Sequence, residues 1–273
     1  MIVERAEARL AEAGIDTPRT DAEWIVAHVL GVRRSELVAQ SHKLDEAAVW
    51  ALVERRARRE PLAYVLGEWG FRRLTLTCDS RALVPRPETE IVVERCLELL
   101  RERASGSEPQ NRPRVLDVGT GTGAIALAIA DELPIADVVA TDSSAAALAL
   151  ARENVARTGL DVELVHGDLR DGLPPGPFDV VVSNPPYVRP EELASLEPEV
   201  RDWEPRAALV DEGQTEALAR TALDVLPPGR HLVLEIHEER GDEIRTALEL
   251  LGYAVRIESD LLGKDRVAEG KRL

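Results

Sequence analysis

The sequence predicts an α/β fold: a doubly wound, mostly parallel sheet preceded by a small all-helical region and a connecting β-hairpin. Past residue 113, short apolar strands alternate with helical segments, the pattern of repeated βα units with both sheet faces covered. A glycine-rich turn joins the first of those strands to its helix. Residues 1 to about 60 show helical spacing and no strand signal.

In the helical region, "TPRTDAEWIVAHVLG" offers Thr17 as a cap and Pro18 at the first helical position. Ala22, Ile25, Val26, Val29 and Leu30 then recur at helical spacing until Gly31. "LDEAAVWALVERRARRE" repeats the pattern, with Asp45 as cap and Pro61 as stop. Trp24, Trp50 and His28 are expected in or at the edge of this core. "FRRLTLTCDSRALVPRP" alternates and predicts a hairpin turning at Asp79-Ser80. "PETEIVVERCLELLRER" opens a helix behind Pro87, and "ASGSEPQNRP" is a polar loop. "RVLDVG", "ADVVATD", "DVELVHGD", "FDVVVSN", "RHLVLEIH" and "YAVRIES" follow as strands, with "DRVAEGKR" as a last edge strand. The intervening helices are "TGAIALAIADEL", "SAAALALARENVARTG", "TEALARTALDVL" and "DEIRTALELLG". The expected division is 1–62 helical, 63–86 hairpin and 87–273 α/β.

The 273 residues carry a formal charge of −16, with 44% apolar and 31% charged residues. Such a charge argues against a main task of gripping nucleic-acid backbone. No apolar run approaches the roughly 20 residues of a membrane span. The two cysteines, Cys78 and Cys96, have no metal spacing, which points to a reducing cytoplasm and no metal site. Arg55, Arg56, Arg58 and Arg59 form the densest basic cluster, read as a solvated helix face or a docking surface for an acidic partner.

"DVGTGTGA" lies between the first strand and its helix. Gly119, Gly121 and Gly123 allow positive φ and let a ligand approach backbone. The relaxed dinucleotide pattern also fits, through Gly119, Gly121 and Ala124. The acids tilt the choice. Asp117, just ahead of the glycines, suits an ammonium group better than a pyrophosphate. Asp142, 19 residues after Gly123, can accept ribose hydroxyls, and Asp168 can accept from an adenine amine. Three acids at successive strand ends suit S-adenosyl-L-methionine, which has an ammonium, a ribose and an adenine but no phosphate.

"SNPPY" follows the fourth strand and faces the same crevice. Methyl transfer from a sulfonium needs position and a lone pair. An amide nitrogen has a delocalised lone pair. Acceptors on both its N–H bonds, the Asn184 side-chain oxygen and the Pro185 carbonyl, can free it. Pro185 and Pro186 stiffen the turn, and Tyr187 offers a flat face to a planar group. A plain Asn-Pro-Pro turn is the bland alternative. In "PRPETE", Arg86, Glu88 and Glu90 are either an ion network or part of a substrate mouth.

On "RREPLAYVLGEWGF", "LVPRPETEIVVE", "LDVGTGTGAIALAIA", "ATDSSAAALALARENV", "SNPPYV", "VRDWEPRAAL" and "LLGKDRV", taken in that order, the chain resembles the release-factor glutamine N5-methyltransferases. The resemblance implies a class I S-adenosylmethionine-dependent methyltransferase domain with a seven-stranded sheet. It implies class 1 peptide release factors as protein substrate, with the glutamine of their Gly-Gly-Gln loop on Asn184, Pro185, Pro186 and Tyr187. S-adenosyl-L-methionine would contact Gly119, Thr120, Gly121, Thr122, Gly123, Asp142, Asp168, Leu169 and Asn184. The helical region would help dock the substrate. Two positions depart from the pattern: His237 stands where the family usually has glycine, and "VDEGQTEAL" lacks the usual Gly-Gly-x-Asp-Gly form. His237 is expected at the surface. An adenine amino-methyltransferase would want a basic groove and a target-recognition domain, neither of which the sequence offers. A non-catalytic protein of the same fold would not need the intact glycine loop and tetrad, and a dehydrogenase leaves the tetrad unexplained.

Overall fold

The computed structural model describes residues 2–39, 44–105 and 112–273; residues 106–111 of the expected polar loop lie outside them. The chain divides into two compact units: Met1–Glu68 with Leu196–Trp203, and Trp69–Ser195 with Glu204–Leu273. The first unit runs past the expected boundary at 62 and takes in a segment that follows the tetrad in sequence.

That unit holds α1 (Ile2–Glu12), α2 (Pro18–Leu30), α3 (Glu46–Ala57) and α4 (Leu62–Leu66), with a 3₁₀ turn at Arg34–Ala39. Ala6, Leu10, Ala22, Ile25, Val49 and Val53 are fully buried between the helices. Asp45 caps α3 by accepting from the Ala48 amide at 3.1 Å, and Gly31 ends α2 at φ 67°. Thr17 does not cap; its hydroxyl donates to Asp21 Oδ1 at 2.8 Å. Pro61 opens α4 rather than stopping α3, which ends before Arg58. Trp24 and His28 are exposed, because α2 turns Asp21, Ala22, Ile25, Val26 and Ala27 inward; Trp24 instead packs beneath Arg34 at 5.5 Å.

The arginine cluster is neither a solvated face nor a free docking surface. Arg56 is buried, with Nε on Asp21 Oδ2 at 2.7 Å and Nη1 on Glu199 Oε1 at 2.7 Å. Arg59 pairs with Glu197 and Glu199, and Arg55 with Glu60 and the Tyr64 and Val65 carbonyls. Only Arg58 of the four is exposed. The cluster fastens Leu196–Trp203, including α8 (Pro198–Arg201), into the helical unit.

In the second unit the hairpin is β1 (Glu68–Phe71) and β2 (Leu74–Thr77), turning at Arg72-Arg73 rather than at Asp79-Ser80. Arg72 takes φ 49° there, held by Glu90, Glu94 and Glu132. Asp79 instead accepts from the Arg81 amide beyond the strand. Then come α5 (Thr89–Ala104), β3 (Arg114–Val118), α6 (Ala124–Glu132), β4 (Asp137–Asp142), α7 (Ala145–Thr158), β5 (Glu163–His166) and β6 (Val180–Ser183). The chain closes with α9 (Arg206–Leu209), α10 (Gln214–Val225), β7 (His231–Glu235), α11 (Gly241–Leu250), β8 (Tyr253–Ser259) and β9 (Asp265–Arg272).

The sheet order is β5-β4-β3-β6-β7-β9-β8, parallel except that β9 runs antiparallel to both neighbours. β9 is therefore an inner strand, contrary to the expected edge position. Its Val267 and Ala268 are fully buried, and a side chain at Gly270 would strike the Tyr253 ring at 3.0 Å. β8, with charged residues at alternate positions, is the strand that can face solvent. α5 and α6 cover one face of the sheet and α10 and α11 the other. α6 is buried from Ala124 to Ala130, as its unbroken apolar sequence predicts.

The chain winds outward from β3 through β4 to β5, then crosses to β6 and β7. The switch point lies between β3 and β6, where open α/β sheets open a crevice at their carboxyl ends. Both the glycine loop and the tetrad emerge there.

Candidate active site

β3 is buried from Val115 to Val118 and then turns through Gly119, at φ 73°. Gly119 and Thr120 donate their amides to the Thr141 carbonyl at 2.8 and 3.0 Å, which ties the loop to the end of β4. Gly123 takes φ 83° as the cap of α6, and a Cβ there would press on Leu127 at 3.2 Å. Side chains at these positions would cost strain in the left-handed region. Thr120 and Thr122 are buried.

Asp117 is 1% exposed. Its Oδ2 accepts from Thr120 Oγ1 at 2.6 Å and from the Ala126 amide at 3.2 Å. Its Oδ1 is buried and has no partner among the described residues. Burial pushes this carboxyl up to about 7. Asp142, half-buried at the end of β4, accepts from the Gly121 amide at 2.9 Å and the Ser144 amide at 2.8 Å. Each oxygen keeps a lone pair for a further donor. Asp168 caps the Leu169–Asp171 turn by accepting from the Arg170 amide at 2.9 Å, and it pairs with the Arg170 guanidinium. Both its oxygens thus have a local partner, and the pairing holds its carboxyl well below the usual range.

Asn184 stands one residue beyond β6. Ser183 Oγ donates to the Val118 carbonyl at 2.6 Å, so the ends of β3 and β6 are tied. Asn184 Nδ2 donates to Thr89 Oγ1 at 3.3 Å, and Thr89 Oγ1 donates to Glu235 Oε2 at 2.6 Å. Among the described residues, neither Asn184 Oδ1 nor the Pro185 carbonyl accepts a hydrogen bond. Tyr187 is half-buried; its carbonyl accepts from Arg240 Nη1, and Arg240 also grips Glu192 at 2.7 Å. Val188 then bridges to Val210, closing the turn behind the tetrad. Burial, and after it the nearby Glu235 carboxyl, push the Tyr187 phenol up to about 12.

Behind Tyr187 lies a hollow of about 30 Å³ lined in part by Glu235, His237 and Arg240. His237 is half-buried, its ring edge-on to Tyr187 at 6.2 Å, not the plain surface residue its sequence context predicts. Its Nδ1 accepts from the Glu239 amide at 3.2 Å, which shapes the turn into α11. The "PRPETE" stretch resolves mostly into an ion network. Arg86 Nη2 donates to the buried Glu204 at 2.6 Å, Glu204 also accepts from the Val84 amide, and Glu90 accepts from the Arg72 amide. Sequence reading missed Thr89, between the charges it weighed, and Glu235. A carboxylate closing the apolar run "HLVLE" was the available signal, since a glutamate is rarely fully buried without a partner.

A family model for the PrmC N-terminal domain matches residues 2–67, and one for the methyltransferase small domain matches residues 97–203. A methyltransferase of Pyrococcus furiosus of known structure is 21% identical, at a TM-score of 0.51 over 72% of this chain and 89% of its own. With the sheet order and the glycine loop, these define a methyltransferase of the S-adenosylmethionine-dependent fold. The release factor glutamine methyltransferase of Deinococcus radiodurans is 41% identical over 99% of this chain and 97% of its own length. That of Caulobacter vibrioides is 39% identical over 97% and 93%. The chain belongs to the release factor glutamine methyltransferase family.

Proposed function

We propose that the chain transfers a methyl group from S-adenosyl-L-methionine to the side-chain amide nitrogen, N5, of the glutamine in the Gly-Gly-Gln motif of class 1 peptide release factors. The observation that carries this reading is the state of Asn184. Its NH₂ is committed to Thr89 while its oxygen and the neighbouring Pro185 carbonyl have no donor. Two open acceptors on one stiff turn match the two N–H bonds of a primary carboxamide.

The residues at the strand ends fit the donor molecule. Asp117 has an enclosed, orphaned oxygen suited to an ammonium's hydrogen, and Asp142 has spare lone pairs suited to ribose hydroxyls. The glycines leave backbone open to a ligand, and Thr120, Thr122, Asp168, Leu169 and Asn184 complete the proposed contacts. When bound, the donor supplies an electrophilic methyl on a sulfur that leaves as a neutral thioether.

The protein's own part is to bind and orient the amide. Asn184 Oδ1 and the Pro185 carbonyl each accept one N–H, drawing the nitrogen away from planarity so that its lone pair faces the methyl. Pro185 and Pro186 contribute no amide hydrogen to compete for those acceptors. Tyr187 packs against the flat group. Chemistry of this kind needs no base during transfer: the methylated nitrogen is strongly acidic and gives its proton to water. A release factor works in the cytoplasm, and the two cysteines, both free and buried, agree with a reducing compartment. Among the described residues no helix is long and apolar enough to cross a membrane.

Mass spectrometry of a purified class 1 release factor, incubated with this protein and S-adenosyl-L-methionine, tests the reading. The expected result is one added methyl on the peptide that carries the loop glutamine and none on a Gln→Ala substrate. An unmodified factor, or methyl on another residue, would overturn it.

A further inference from the structure

We propose that Thr89 and Glu235 are positioning residues that set which way round the Asn184 carboxamide stands, and so whether the site offers its substrate an acceptor. This rests on the function proposed above.

An Asn side chain has two nearly isosteric ends, one acceptor and one donor. A substrate amide N–H can be held only by the oxygen. Nothing in Asn184 itself selects that orientation. Thr89 Oγ1 lies 3.3 Å from Asn184 Nδ2 and 2.6 Å from Glu235 Oε2. A hydroxyl has a single hydrogen. An ionised Glu235 has only acceptor capacity, so it takes that hydrogen. Thr89 is then left with lone pairs alone on the Asn184 side and can only accept. Asn184 must present NH₂ to Thr89 and its oxygen to the crevice. A protonated Glu235 can donate to Thr89 instead. The Thr89 hydrogen is then free to turn toward Asn184, which is satisfied by flipping the amide and losing the open acceptor.

The relay is buried and joins two elements distant in sequence. Thr89 and Glu235 are 4% and 3% exposed, drawn from α5 and β7, 146 residues apart in sequence. A hydroxyl–carboxylate pair in that setting is short and strong. The groups around Glu235 are Glu88 at the head of α5, Arg86 ahead of it and Arg266 on β9. Tyr187 from the tetrad also feels its charge, and His237 and Arg240 share with it the hollow behind Tyr187. Burial, more than any of these charges, pushes the Glu235 carboxyl up to about 7. The switch therefore falls in the neutral range. The active orientation belongs to the ionised form, so turnover declines as pH falls below that value.

Two measurements test this. The first needs no release factor. The chain has three asparagines, so ¹⁵N-asparagine labelling resolves the Asn184 side-chain NH₂. Its shift should titrate near neutral pH in the native protein and stay flat in Thr89→Val and Glu235→Gln. A flat native titration, or one that persists in both variants, overturns the proposal. The second is steady-state kinetics on a release factor. Thr89→Val should lower kcat by about tenfold to a hundredfold, the scale of a misplaced reacting group, with an unchanged KM for the methyl donor. It should also abolish the acidic limb of the pH profile. Thr89→Ser should restore both, and His237→Gln should keep the limb. Native kcat and pH profile in Thr89→Val, or loss of the limb with His237→Gln, overturns it. Should the native protein fail to methylate any release factor, the functional reading falls while the NMR result still judges the relay.

Discussion

In the proposed reaction Asn184 acts through an oxygen to which no described residue donates. On the proposed mechanism, Asn184→Ala removes an interaction made chiefly as the nitrogen becomes nucleophilic. It is expected to cut kcat by about 10²–10³-fold, the range for losing one group that stabilises a transition state, while calorimetry finds cofactor affinity near the native value. Equal losses in both would give Asn184 a binding role instead. At Asp117 the sign of the pH effect is set by burial, which pushes its carboxyl up to about 7. An ammonium favours the ionised form, so cofactor binding near pH 6.5 should release a proton. Calorimetry in buffers of different ionisation enthalpy should show that release in the native protein and not in Asp117→Asn; its absence from the native protein would place the ammonium elsewhere. The tetrad stood out in the sequence because an amide, two prolines and a phenol are more than a turn after an apolar strand requires. The pairing of Thr89 with Glu235 did not, since their hydrogen bond exists only once α5 and β7 are packed, although a carboxylate closing "HLVLE" was a signal for Glu235. His237 stood out as a departure, but its role as a turn cap depends on the Glu239 amide.

At the scale of elements, periodicity placed the helices and strands well where one driving force dominated. α6 reads as buried because it is apolar on every side, and α3 starts where Asp45 caps it. The errors came where packing decides between equals. "DRVAEGKR" has the charge content of an edge strand, yet its Val267 and Ala268 are fully buried and Gly270 leaves room for the Tyr253 ring, with β8 at the edge. The hairpin turned at Arg72-Arg73 because three glutamates from α5 and α6 hold Arg72 in a backbone region an arginine seldom adopts. The arginine cluster looked solvated because the carboxylates that bury it come from residues 197 and 199 and from Asp21. Arg56→Ala takes the buried guanidinium from Asp21 and Glu199, leaving Asp21 with the Thr17 hydroxyl and Glu199 with Arg59. It should cost roughly 3–5 kcal/mol by denaturant unfolding, the range for breaking a buried pair. A loss under about 1 kcal/mol, the value of a surface pair, would return the cluster to the solvated face that its sequence suggests.

For the whole molecule, a doubly wound, mostly parallel sheet with a crevice at the carboxyl ends of its strands followed from alternating strands and helices, whereas the strand order and the membership of Leu196–Trp203 in the helical unit did not. No local pattern reports which carboxylate an arginine will find far along the chain. Stability and function also oppose each other here. Asp117 and Glu235 are both raised by burial to about 7. Each is favoured in its protonated form by folding, so its contribution is complete below about pH 4 and is lost as pH rises through about 7. The ligand-free protein should therefore lose stability over that window, less so in Asp117→Asn, as thermal melts across pH would record. A rise in the native protein's melting temperature over the same window, or an equal loss in Asp117→Asn, would contradict the assignment.

In the proposed reaction a methyl group reaches the side-chain nitrogen of a glutamine. The direct measurement is NMR of a release factor labelled with ¹⁵N in its glutamine side chains, after reaction with donor carrying a ¹³C methyl. A one-bond ¹³C–¹⁵N coupling on a side-chain nitrogen that retains a single hydrogen is the expected result. A ¹³C methyl on any oxygen, sulfur or backbone atom, or no ¹³C in the factor, would contradict it.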